Sequence, residues 1–131
     1  MSKELVKRTE RGWAGHFCCA DRCMFRRNTL LTYNGVEVVV STVGLMMDIH
    51  SPKGLKFEKV GSDRYFETMV FYANPLDIRF HDPDVSQQIY FDSPWCIDEI
   101  DADDRANDMH EVVVEEISKK LRLGLRSPYN V

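Results

Sequence analysis

The sequence predicts an α+β fold, a strongly twisted antiparallel sheet of about five strands packed with one long C-terminal helix. Three observations carry this. Asn34-Gly35 separates two runs rich in branched residues. Residues 65–73 read Tyr-Phe-Glu-Thr-Met-Val-Phe-Tyr-Ala. From Arg105 the spacing of apolar residues changes to three and four, the period of a helix.

The hairpin is the sharpest local signal. Asn-Gly tolerates the left-handed dihedrals of the tight turn that joins twisted antiparallel strands. If Tyr33 faces Val36, then Leu31 faces Val38, Thr29 faces Val40 and Arg27 faces Thr42. Period-two alternation puts these on one side. The other side carries Thr32, Leu30, Asn28 and Arg26 opposite Glu37, Val39, Ser41 and Val43. Both sides are partly apolar, so the hairpin is expected to be central and covered on each face.

Gly44–Ile49 either extends the second strand or begins a loop, and His50–Gly54 reads as a turn. In the next strand Tyr65, Glu67, Met69 and Phe71 share one face, and Phe66, Thr68, Val70 and Tyr72 the other. Leu76–Phe80 and Val85–Phe91 read as two further strands around a turn at His81–Asp84.

The helix stripe is Ala106, Met109, Val113, Ile117 and Leu121, widened by Val112 and Val114. Asp101 or Asp103 is a candidate cap. Acids at the start and Lys119, Lys120 and Arg122 at the end suit the helix dipole. Gly124 is a natural stop. Such a stripe must lie on the sheet or on a partner's helix, so a homo-oligomer, dimer or higher, assembled through the C-terminal helix is expected.

The chain divides into an arm, residues 1–11, flexible or ordered by a partner, and a single α+β domain over 12–131. The whole has 131 residues, 44 % of them hydrophobic and 29 % charged, a balance that excludes global disorder. A net charge of −4 argues against wrapping bulk nucleic acid. Charge is uneven, net +4 over residues 1–27 and −11 over 82–116, where Arg105 is the one basic residue. No apolar run reaches the length of a membrane span, and the N-terminus lacks a signal peptide's apolar core. Cys18, Cys19, Cys23 and Cys96 are spaced as free thiols of a reducing, cytoplasmic compartment.

Three kinds of site are open to these residues. His16, Cys18, Cys19 and Cys23 could ligate zinc, but they lack a Cys-x-x-Cys pair, and small buried thiols are the preferred reading. No nucleophile elbow or metalloprotease motif is present. Asp108 and His110 fall on different faces of the helix, and His110 reads as charge-compensated surface. Phosphate recognition fits best: Arg26 and Arg27 stand just inside the hairpin, and arginine's planar fork suits phosphate oxygens. Arg105 reads either as an ion pair to Asp101, Asp108 or a neighbouring subunit, or as a second phosphate ligand. Phe66, Tyr72, Phe80 and Tyr90 supply rings on which a base could stack.

Gly15-His16-Phe17, Asp21-Arg22-Cys23, Phe25-Arg26-Arg27-Asn28-Thr29-Leu30 and Asp104-Arg105-Ala106-Asn107-Asp108-Met109-His110 resemble the Thoeris anti-defence 1 family of phage proteins, from about residue 12 to the end of the helix. The resemblance implies an oligomeric α+β protein that is not an enzyme. It would sequester cyclic ADP-ribose isomers, and in some members cyclic oligonucleotides, in the cytoplasm of an infected bacterium. It implies a pocket between subunits, with Arg27 and Arg105 on phosphate, Phe80 on the base, and supporting roles for Asn28 and Asn107. No cofactor or metal is expected. The alternative is an acidic inhibitor that docks its Asp82–Glu116 block on a basic host or defence protein, or mimics nucleic acid.

Overall fold

The Asn34-Gly35 turn forms as its residues dictate, both with positive φ, 51° and 81°, and it sets the register of the two strands it joins. In this computed structural model, which describes residues 5–11, 23–47, 57–58, 65–76, 83–89, 96–97 and 103–128, the turn joins β2 (Cys23–Tyr33) to β3 (Val36–Met47). Tyr33 pairs with Val36, Leu31 with Val38, Thr29 with Val40 and Arg27 with Thr42, the expected register. β3 runs on to Met47, so Gly44 extends the strand.

Around this hairpin lie β1 (Lys7–Glu10), β4 (Phe57–Glu58), β5 (Phe66–Ala73), β6 (Pro83–Gln88) and β7 (Cys96–Ile97). The sheet among the described residues is antiparallel and runs β1-β2-β3-β5-β6, with β4 paired to β3 and β7 to β5. β1 is an edge strand on the chain's own β2, with Glu10 opposite Thr29, so part of the 1–11 arm is paired without a partner chain. β6 starts at Pro83, paired with Ala73. Of the expected turn at His81–Asp84, Pro83 and Asp84 instead open this strand, and a strand's first residue is a position where proline's missing N–H is tolerated. Leu76 lies in a turn closed by the Asn74 side chain, which accepts from the Leu76 amide at 3.0 Å. The remainder of the Leu76–Phe80 strand, the His50–Gly54 turn, His16, Cys18 and Cys19 lie outside the described residues.

The helix α1 spans Asp103–Arg122. It ends in a Schellman motif: the Gly124 amide donates to the Leu121 carbonyl at 3.1 Å and the Leu125 amide to the Lys120 carbonyl at 3.0 Å. Gly124 takes the positive φ, 110°, that this stop requires. Ala106, Val113, Val114, Ile117 and Leu121 are buried against Leu31, Val38, Val40 and Val70 or, for Ala106, against Leu45 and Phe66. Each of the valine, isoleucine and leucine side chains contributes about 1.5–3 kcal/mol by leaving water. The stripe thus rests on the chain's own sheet, and so gives no reason by itself for assembly through this helix. Val112, expected to widen the stripe, is exposed, because it sits on the arc that turns away from the sheet.

The opposite face of the sheet is also buried at Asn28, Leu30, Val39, Ser41 and Val43, in keeping with a central hairpin. At Gly44 a Cβ would overlap the Phe66 ring, which meets Phe25 edge to face at 5.4 Å. Glycine is required there so that the two strands and the ring can close.

Candidate functional site

The polar centre of the molecule lies where α1 crosses the sheet. Alternation along β2, β3 and β5 aims Thr29, Thr42 and Thr68 at the helix, all three buried. His110 drops between them from α1, with no exposed surface. Its Nε2 lies 2.6 Å from Thr29 Oγ1 and its Nδ1 2.7 Å from Thr42 Oγ1. Thr42 Oγ1 lies 2.7 Å from Thr68 Oγ1. The surface position expected for His110 is therefore wrong. Residue 110 falls on the inward arc with Ala106, Val113 and Ile117, and three hydroxyls make that burial tolerable.

The proton positions follow from counting donors. Thr29 Oγ1 donates to the Glu10 carboxylate, which can only accept. With its one proton engaged there, Thr29 must accept from His110 Nε2–H. Burial first, and the Arg27 charge second, push the His110 pKa down to about 4, so the ring is neutral at pH 7. A neutral ring that donates from Nε2 accepts at Nδ1. Thr42 then donates to Nδ1, and Thr68 donates to Thr42. The chain Thr68, Thr42, His110, Thr29, Glu10 runs in a single direction and ends on the carboxylate. Chains with aligned donors reinforce one another in a low-dielectric interior.

Above this chain, at the rim, two arginines meet two glutamates. Arg8 grips Glu111 in a bidentate pair, 2.9 and 2.6 Å, and reaches Glu10 at 3.0 Å. Arg27 Nη2 lies 2.5 Å from Glu10 and 2.7 Å from Glu111. The Arg8 hydrogen bonds hold the Glu111 carboxyl down at about 2, against a smaller opposing effect of burial. Burial would raise the Glu10 carboxyl, but hydrogen bonds from Thr29, Arg27 and Arg8 outweigh it and keep it below the usual range. Arg8 is correspondingly raised, first by Glu111. The quartet is formally neutral and partly exposed, so its pairs add little to stability individually.

Of the residues singled out from the sequence, Arg27 belongs to this quartet, where its partners are carboxylates. Asn28 points to the other face of the sheet and is fully buried. Its Oδ1 accepts from Arg11 Nε at 3.0 Å and Nη2 at 2.8 Å, and its Nδ2 has no partner among the described residues. Arg105 and Asn107 are exposed on the first turns of α1. They are two positions apart, hence on different sides of the helix. Phe80 lies outside the described residues. The structure therefore brings Arg27 together with Glu10 and Glu111 on one face of the sheet, and Asn28 with Arg11 on the other.

Sequence reasoning missed the Thr29–His110–Thr42–Thr68 chain. The signal was available: Thr29 and Thr42 share the helix-facing side in the predicted register, and residue 110 continues the inward stripe. Among the described residues no group of three or more histidine, cysteine, aspartate and glutamate side chains is arranged to hold a metal ion, and Cys23 is a buried free thiol. Likewise, no described helix is long and apolar enough to cross a membrane. No protein-family model, curated protein or solved structure matches the chain.

Proposed function

We propose that the chain is a non-enzymatic phage protein that binds a cyclic ADP-ribose-type signal, holds it intact and so blocks a bacterial defence. Cyclic oligonucleotides are a further cargo of the same kind, and the working form is a homo-oligomer in the cytoplasm of the infected cell. The observation that carries the reading is the buried chain. His110, the one described imidazole, and the three hydroxyls beside it are among the described groups suited to base and nucleophile. All four are shut away from solvent and committed to one another. A sequestering protein needs donors for phosphate and no group poised to break a bond.

The donors in this reading are the guanidiniums of Arg105, exposed on α1, and Arg27, whose side chain keeps 22 % of its surface open at the rim. Arg27 reaches a phosphate by exchanging a carboxylate for it, and Glu111, 46 % exposed and still held by Arg8, is the partner it gives up. Charge-assisted hydrogen bonds contribute about 1.5–3 kcal/mol each. Four or five of them with base stacking reach about −12 kcal/mol, a nanomolar affinity.

Calorimetric titration of the full chain with a cyclic ADP-ribose isomer tests this. The expected result is saturable, stoichiometric binding that weakens about 10-fold or more in Arg105→Ala and in Arg27→Ala. Absence of binding to the parent protein refutes the reading. Equal binding by parent and both variants refutes the residue assignment.

A second reading has its own support: Asp103, Asp104, Asp108 and Glu115 are exposed along α1, a surface suited to a basic protein partner. It predicts capture of such a partner that fades steeply with salt and survives Arg27→Ala.

A further inference from the structure

A cavity of about 530 Å³ opens between the hairpin turn and the end of α1, at the opposite end of the helix from Arg105. Its floor is apolar. Val36 and Leu121 are buried and Leu125 half-buried, all three belonging to the main core, and the half-buried ring of Tyr33 forms a wall. Its rim carries Arg122 and Arg126, both exposed. Among the described residues no carboxylate side chain lines it. From Ile117 to Val131 the chain has Lys119, Lys120, Arg122 and Arg126 and no acidic residue. Neither lining arginine has an ion-pair partner among the described residues.

Local structure holds this rim in place. The Schellman turn at Gly124 brings Leu125 back onto the core. The Tyr72 hydroxyl then donates to the Arg126 carbonyl at 2.7 Å, tying the backbone that bears the second guanidinium. The helix C-terminus carries about half a negative charge, which opposes an anion. Two guanidiniums outweigh it fourfold, and the Schellman bonds already satisfy two of the end carbonyls. The volume lies within the range of about 300–1,000 Å³ usual for small-molecule sites.

We infer that this cavity is a ligand site in its own right for a nucleotide-sized phosphate ester. The flat ring of the ligand lies on the apolar floor beside Tyr33, and its phosphate sits between Arg122 and Arg126. It is separate from Arg27 and Arg105 and does not depend on the cyclic signal proposed for them.

The test uses the ¹⁵N-labelled full chain titrated with adenosine 5′-monophosphate, with adenosine and inorganic phosphate as separate arms. The inference expects saturable shifts centred on the amides of Asn34, Gly124, Leu125 and Arg126, with each half-ligand binding more weakly than the whole. The double variant Arg122→Gln/Arg126→Gln should bind about 10-fold or more weakly, while its urea midpoint stays that of the parent because both side chains are exposed. Shifts centred elsewhere, no saturable shifts, or an unweakened double variant would each overturn it.

Discussion

At one end of the helix–sheet seam two arginines, Arg8 and Arg27, face two glutamates above a buried imidazole. At the other end two arginines, Arg122 and Arg126, line a cavity with no carboxylate among its described lining residues. The residue type is the same and the consequence is opposite. In the first region β1 delivers Glu10 opposite Thr29, and α1 delivers Glu111 beside His110, so the positive charge is matched within the fold. In the second, the chain turns at Gly124 into a stretch without Asp or Glu, and among the described residues no ion pair matches the positive charge. An arginine becomes a candidate ligand through what the topology leaves unpaired beside it, more than through its place in a motif.

The largest expected effect belongs to the matched region. His110→Ala removes a buried side chain, leaving Thr42 without an acceptor and Thr29 without a donor. A loss of about 3–4 kcal/mol is expected from urea unfolding. A loss below about 1 kcal/mol would mean that the chain of hydroxyls relaxes and that this region is not the structural one.

Acid sharpens the contrast next. The His110 pKa is lower in the folded protein than the ordinary 6.5, so the unfolded chain binds a proton more readily. Stability from His110 is complete above about pH 6.5 and is lost as pH falls towards 4, by about 3 kcal/mol in all. Glu10 and Glu111, also lowered, add losses of the same sign at lower pH. Urea midpoints between pH 7 and pH 4 measure this. Replacing the chain by apolar residues, His110→Leu with Thr29→Val and Thr42→Val, should flatten the slope over that range. An unchanged slope would remove His110 as its cause.

The smallest effects separate the two sets of arginines. Glu111→Gln should cost no more than about 1 kcal/mol, and less in high salt. Arg122→Gln/Arg126→Gln should stay within about 0.5 kcal/mol of the parent. If the double variant proved the more damaging of the two, the comparison would be reversed.

The sheet was largely legible from sequence because one signal, Asn34-Gly35, fixes a register that propagates through every residue from Arg26 to Val43. The helix was legible from its period and its glycine stop. His110 was misread because an imidazole was counted as polar, although its spacing from Ala106 and Val113 put it on the inward arc. The Glu10–Thr29 pairing was not legible: β1 is short, has exposed side chains and no apolar alternation, and no turn signal fixes which residue of β2 it meets. The cavity at Arg122 and Arg126 was hidden for another reason. Arg122 read as a complement to the helix dipole, and the space beside it exists only once the hairpin turn and the residues after Gly124 close on one another.

The central claim, that a phosphorylated signal is held and not consumed, is most directly tested by release. The protein is saturated with a cyclic ADP-ribose isomer, freed of excess ligand and heated until it denatures. The account predicts one equivalent or more of the unaltered isomer in the supernatant, able to trigger the defence effector again. Recovery of a ring-opened product, or of no ligand from protein that had been saturated with it, would contradict the account.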